Sequence, residues 1–150
     1  MNNKKVLMEM LDIYYPEDKR AEEYYIDFMG YKIDDENFPT YHHIEKASDL
    51  KSKHESAEAT IENGAILGEL SHRVLHTIEK YDIKLYDAWN ELFLLIVKTR
   101  SYPSPEIIDK MTKLQVLSTK LIEDEENKKR ERKKSKKIRK ALLNKKDYEE

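Results

Sequence analysis

The last part of the chain cannot contribute to a hydrophobic core. Beyond Ile122 the regular recurrence of apolar residues stops, and from 128 to 146 twelve of nineteen residues are Lys or Arg, against one acid, Glu131. A compact fold in this 150-residue chain must therefore be built from its first 122 residues. Residues 123–147 contain neither Gly nor Pro and many helix formers. They are expected to form a solvated helix that frays, or a disordered segment that folds on a partner.

The formal net charge of −2 hides this division, because the segment 128–146 carries +11 and the remainder −13. An acidic body with a strongly basic tail points to a polyanionic or acidic partner for the tail. Lys128, Lys129, Arg130, Arg132, Lys133, Lys134, Lys136, Lys137, Arg139 and Lys140 are the candidate nucleic-acid-binding residues. Such a run neutralises phosphates without reading sequence. It has no aromatic residue before Tyr148 on which a base could stack.

Composition excludes several classes of function. The chain has no Cys, hence no disulfide framework, no thiolate zinc ribbon and no cysteine nucleophile. Three Gly and no glycine-rich phosphate loop argue against that mode of nucleotide binding. No run of about 18 apolar residues suggests a membrane span, and the polar start, Met1 to Lys5, does not resemble a signal peptide. The expectation is a soluble, cytoplasmic protein with no membrane partner.

Periodicity divides the body. Val6, Leu7, Met10 and Leu11 share a helical face, Pro16 interrupts it, and Asp18 to Met29 resumes it with Ala21, Tyr24, Tyr25 and Phe28, with Gly30 as its C-terminal cap. Asp34 to Pro39 is a link. Thr40–Ile44 reads as a strand, residues 46–60 carry no pattern, and Ile61–Leu67 reads as a second strand. A helix follows over Ser71–Lys80, with Ser71 as its N-cap. Tyr86, Trp89, Leu92, Phe93 and Ile96 predict an amphipathic helix over 83–100, with Trp89 and Phe93 in the core. After a break, Ser104 caps and Pro105 starts a last helix whose apolar face is Ile107, Met111, Leu114, Leu117 and Leu121. This gives an α+β chain, mostly helical, in four segments: 1–39 helical, 40–80 strand–strand–helix, 81–122 a helical pair and 123–150 a charged tail.

The chemistry gathers in the second segment. His72 and His76 are spaced i, i+4 on the predicted helix, the usual arrangement of two helical metal ligands. His42 and His43 are adjacent at the end of a strand, where successive side chains face opposite ways. Three imidazoles, His42, His72 and His76, would leave open positions on a metal, while His43 would remain free, and an imidazole is a suitable general base. Lys46 and Arg73 are first surface charges, and His54 fits no pattern.

The stretch from Tyr41 to Glu79 resembles an HNH nuclease of the ββα-metal (His-Me finger) fold, in the HH…N…HxxxH form of the colicin-type nuclease domains. The residues that carry the likeness are His42–His43–Ile44, Asn63, His72 and His76. The same stretch is similar to small HNH-like proteins of phages and mobile elements, which implies the cytoplasm, that of a host cell if the chain is phage-encoded. The resemblance implies His43 as general base, Asn63 as the residue that fastens the hairpin loop and helps orient it, and His42, His72 and His76 as ligands of one divalent ion (Zn, Ni, Mn or Mg). The implied reaction is metal-assisted hydrolysis of a DNA phosphodiester. Glu45 and Lys46 stand where the family has a Pro, and no Cys pairs brace the motif. The alternatives are a non-catalytic HNH-like metal-binding module that engages nucleic acid or protein, and a helical interaction protein whose His are incidental.

Overall fold

The computed structural model describes residues 3–17, 20, 25–45 and 58–149, with side chains to residue 144. Its elements run α1 (Asn3–Tyr14), β1 (Pro39–His43), β2 (Gly64–Gly68), α2 (Glu69–Tyr81), α3 (Ile83–Thr99) and α4 (Pro105–Glu149). The protein is thus α+β and mostly helical. The strands pair antiparallel in the register Pro39↔Gly68, Thr40↔Leu67, Tyr41↔Ile66, His42↔Ala65 and His43↔Gly64. No helix among the described residues is long and apolar enough to cross a membrane.

β2 is buried at every position, so its Gly-Ala-Ile-Leu-Gly sequence has no polar face to offer solvent. One cluster of buried side chains surrounds it, drawing Val6, Met10 and Tyr14 from α1, Leu75 and Ile78 from α2, and Trp89, Phe93 and Ile96 from α3. Ile107 and Met111 close the cluster from α4. The face foreseen for α1 is the one it buries, extended by Tyr14. Trp89 is fully buried, and its Nε1 donates to Ser118 Oγ at 2.9 Å, which in turn donates to Leu114 O at 2.7 Å. This bond explains a correction on α4. Ser118, not Leu117, occupies the inward position, and Leu117 is left 53% exposed. Ser104 caps α4 as expected, accepting from Ile107 N at 3.3 Å.

The foreseen helix over Asp18–Met29 is corrected where it is described. Residues 25–33 form a tight antiparallel turn with a bridge between Ile26 and Lys32, and Asp27 N donates to Tyr31 O at 2.8 Å. Gly30, at φ +88°, occupies the left-handed position of this turn rather than a helix cap. The reason is Asp27. Its carboxylate accepts from Met29 N (3.0 Å) and Tyr31 N (3.1 Å) within the turn, and from Gly68 N (2.9 Å) across the fold. Side chain–backbone bonds of this kind compete with helix formation. Residues 18, 19 and 21–24 of the foreseen helix lie outside the described residues.

Three boundaries also shift. β1 starts one residue earlier than foreseen, at Pro39, and ends at His43. β2 begins at Gly64 because Ile61–Asn63 form a turn, in which Gly64 N donates to Ile61 O at 3.4 Å. α2 begins at Glu69, so Ser71 is not its N-cap. Asn37 does that work from the preceding loop, its Oδ1 accepting from Leu70 N (2.9 Å) and Ser71 N (3.3 Å). Gly68 is required at this junction, since a Cβ there would lie 2.1 Å from the Asn37 amide.

Residues 123–149 continue α4 without a break, so the tail is a helix, not a disordered segment. Side chains from Lys128 to Asn144 are exposed, including all ten candidate nucleic-acid-binding residues. Lys128 pairs with Glu125 at 3.1 Å.

Candidate functional site

The strand, strand, helix order of β1, β2 and α2 brings the predicted residues into two groups. Thr40 and His42 project from one face of β1, toward α2 and α3. Tyr41 and His43 project from the other, where their rings meet edge-on at 4.8 Å.

On the first face, three imidazoles follow one another. The His42 ring meets His72 edge-to-face at 5.3 Å, and His72 stacks on His76 at 4.7 Å. One turn of α2 separates the last two, as their spacing requires. His42 is 5% exposed and packed against Phe93 and Tyr86. His76 is on the surface, its Nδ1 3.6 Å from Glu79 Oε1. The series therefore runs from the core to solvent.

Two polar side chains hold the inner rings. Asn90, from α3, donates through Nδ2 to Tyr86 O at 3.3 Å, which turns its Oδ1 toward His42 Nε2 at 3.0 Å. Thr40 donates its hydroxyl proton to Leu67 O at 2.7 Å and lies 3.1 Å from His72 Nδ1. The sequence reading passed over both residues. Asn90 had a signal, being a polar side chain among Tyr86, Trp89 and Phe93 on the stripe that α3 buries.

Burial lowers the imidazole of His42 from 6.5 to about 4; the Asn90 bond opposes the shift, and the neighbouring His72, His76 and His43 add to it. Burial also lowers that of His72, helped by His76 and opposed by Glu69. Both rings are thus neutral near pH 7, the form that binds a cation. A depressed folded value means that His42 contributes stability above its unfolded value of 6.5 and loses it as pH falls toward about 4. In the metal-free protein this linkage is worth about 3 kcal/mol. Urea denaturation at pH 7 and pH 4 is expected to show a loss of that order which is smaller in His42→Gln; an equal loss in both proteins would contradict it.

The second group lies at the other end of the ladder. Asn63 grips the backbone of Glu45 from both sides: its Oδ1 accepts from Glu45 N at 2.8 Å and its Nδ2 donates to Glu45 O at 3.1 Å. Ile44 N donates to Asn63 O at 2.9 Å. These bonds tie the residue before β2 to the backbone two residues beyond His43. Tyr41 adds a clamp, its hydroxyl donating to Thr60 O (2.8 Å) and accepting from Thr60 N (3.0 Å). His43 Nε2 is buried and has no hydrogen-bond partner among the described residues.

Among the described residues, no three His, Asp or Glu side chains gather as a metal-holding group. His42, His72 and His76 suit a divalent ion in donor chemistry, being neutral or exposed imidazoles in mutual contact, but their rings stand in series rather than around one centre. Arg73 pairs with Glu69 at 3.0 Å on the exposed side of α2, and Lys46 and His54 lie outside the described residues. No family model, no curated protein and no solved structure matches the chain.

Proposed function

We propose that the chain is a metal-dependent endonuclease of the HNH, ββα-metal type that hydrolyses DNA phosphodiester bonds in the cytoplasm. The observation that carries this reading is the Asn63 clamp on Glu45, set on a strand–strand–helix unit whose His42, His72 and His76 rings touch in sequence. His43, at the last position of β1, is the general base by its place in the HNH-like order of residues. Asn63 fixes the backbone that follows His43 and so orients it. His42, His72 and His76 would hold one divalent ion (Zn, Ni, Mn or Mg), which when bound supplies charge stabilisation for the leaving oxygen. The basic helix brings the acidic body to the polyanion.

The test is cleavage of plasmid DNA with Mn, Ni, Zn or Mg by the native protein and by His43→Ala. Cleavage is expected from the first and a loss of about a hundredfold or more in the second. Equal cleavage by both would remove His43 as the base.

One observation favours a second reading. The Nε2 atom of His43 is buried, out of reach of an attacking water. A non-catalytic HNH-like module that engages nucleic acid or protein through α4 accounts for that burial. DNA binding without cleavage under any of the four ions would decide for it.

A further inference from the structure

We infer that Asn90 and Thr40 are positioning residues that fix opposite tautomers in two adjacent imidazoles, so that His42 Nδ1 and His72 Nε2 carry the lone pairs available to a divalent cation. The cation itself rests on the function proposed above; the tautomers do not.

The assignment follows from counting protons. An amide Oδ1 is only an acceptor and a hydroxyl has one proton to give. Asn90 spends Nδ2 on Tyr86 O, which leaves Oδ1 facing His42 Nε2 at 3.0 Å. Nε2 must therefore carry the proton, and the lone pair of His42 lies on Nδ1. Thr40 spends its hydroxyl proton on Leu67 O, so toward His72 Nδ1, 3.1 Å away, it can only accept. Nδ1 of His72 carries the proton, and its lone pair lies on Nε2.

The two acceptors come from different elements. Asn90 belongs to α3 and reaches His42 from behind, whereas Thr40 belongs to β1, two residues before His42 and on the same face. A metal-binding imidazole commonly donates its second N–H to such a partner, which fixes tautomer and ring orientation together. Glu79 Oε1 lies 3.6 Å from Nδ1 of the outer ring, His76, an ion-pair distance rather than a hydrogen bond.

Imidazole nitrogen-15 shifts of the full chain at pH 7 read the tautomers without any metal or DNA. His42 is expected as the Nε2–H form and His72 as the Nδ1–H form. In Asn90→Leu the His42 signals are expected to move toward a tautomer mixture while His72 keeps its form, and Thr40→Val is expected to do the reverse. Zinc alone is the probe for the second arm. Calorimetric titration is expected to show affinity about ten- to a hundredfold weaker in either variant, and near-native affinity in Thr40→Ser, which keeps the acceptor hydroxyl. Mixed tautomers in the native protein, or His42 and His72 signals unmoved in Asn90→Leu and Thr40→Val, would overturn the inference, whereas no zinc binding by the native protein would overturn the metal site of the function proposed above and leave the tautomers standing. Zinc binding with the expected variant pattern but no DNA cleavage would leave the inference standing and sink the nuclease reading alone. Should Asn90→Leu fail to fold, Thr40→Val and its Ser counterpart decide the question.

Discussion

Changing the ten basic residues between Lys128 and Lys140 to Gln is expected to weaken binding to duplex DNA by about a thousandfold or more at 0.1 M salt. These side chains are exposed on α4, so their removal disturbs no packing, and Gln preserves helix propensity. The effect is large because binding to duplex DNA is driven by counterion release. Each phosphate neutralised adds about −0.9 to the slope of log affinity against log salt. If six to eight of the ten engage phosphates, the native slope is about −5 to −7, and the variant's is expected to fall near zero. Fluorescence anisotropy of a labelled duplex across a salt series measures both quantities. A variant that keeps the native slope would show that α4 is not the DNA-binding element. The acidic body gives no reason to expect compensating affinity elsewhere.

The second large effect concerns Asp27. Asp27→Asn is expected to destabilise the fold by about 2–4 kcal/mol. The amide oxygen can keep the bonds from Met29 N and Tyr31 N, but Nδ2 would then face the N–H of Gly68, donor against donor. Asp27 is fully buried, so no water is at hand to relieve the clash. Burial raises the Asp27 carboxyl above its ordinary value, while the bonds from Ser71, Gly68, Tyr31 and Met29 pull it back. Tyr102 and Tyr15 add hydroxyl bonds to the main-chain carbonyls of Asp27 and Ile26, so three separate stretches of chain converge on this turn. Urea titration of Asp27→Asn beside the exposed control Asp35→Asn checks the estimate, with the control expected within about 0.5 kcal/mol of the native protein. Equal stability of the two variants would mean that the carboxylate only fills space.

Asp27 also marks where the sequence stopped being legible. Tyr24, Tyr25 and Phe28 recur at helical spacing, and nothing local reveals that the carboxylate between them bonds to Gly68, 41 residues on. A pattern of neighbours does not carry a bond of that range. The same holds for the start of α2, where Asn37 caps from outside the helix and displaces Ser71 from the role its residue type suggested. Elements whose cause is local came through. The i, i+4 pair His72 and His76 lies on one helix face with stacked rings, Ser104 caps α4, and strand alternation sends His42 and His43 to opposite faces. The partners of the imidazoles were hidden for the same reason as those of Asp27, since Asn90 lies 48 residues from His42 and Thr40 lies 32 from His72.

The unbroken course of α4 sets a length. A helix rises about 1.5 Å per residue, so the stretch from Glu123 to Glu149 extends about 40 Å. One turn of B-DNA covers about 34–36 Å. With no hinge residue between Ile107, seated in the core, and Asn144, the charged stretch keeps its direction relative to the imidazoles on α2. If the function proposed above holds, footprinting would then report a protected region of roughly one helical turn at a fixed offset from the site of cleavage. A Gly-Gly insertion after Ile122 would blur that offset while leaving the charge, and so the salt slope, as it was.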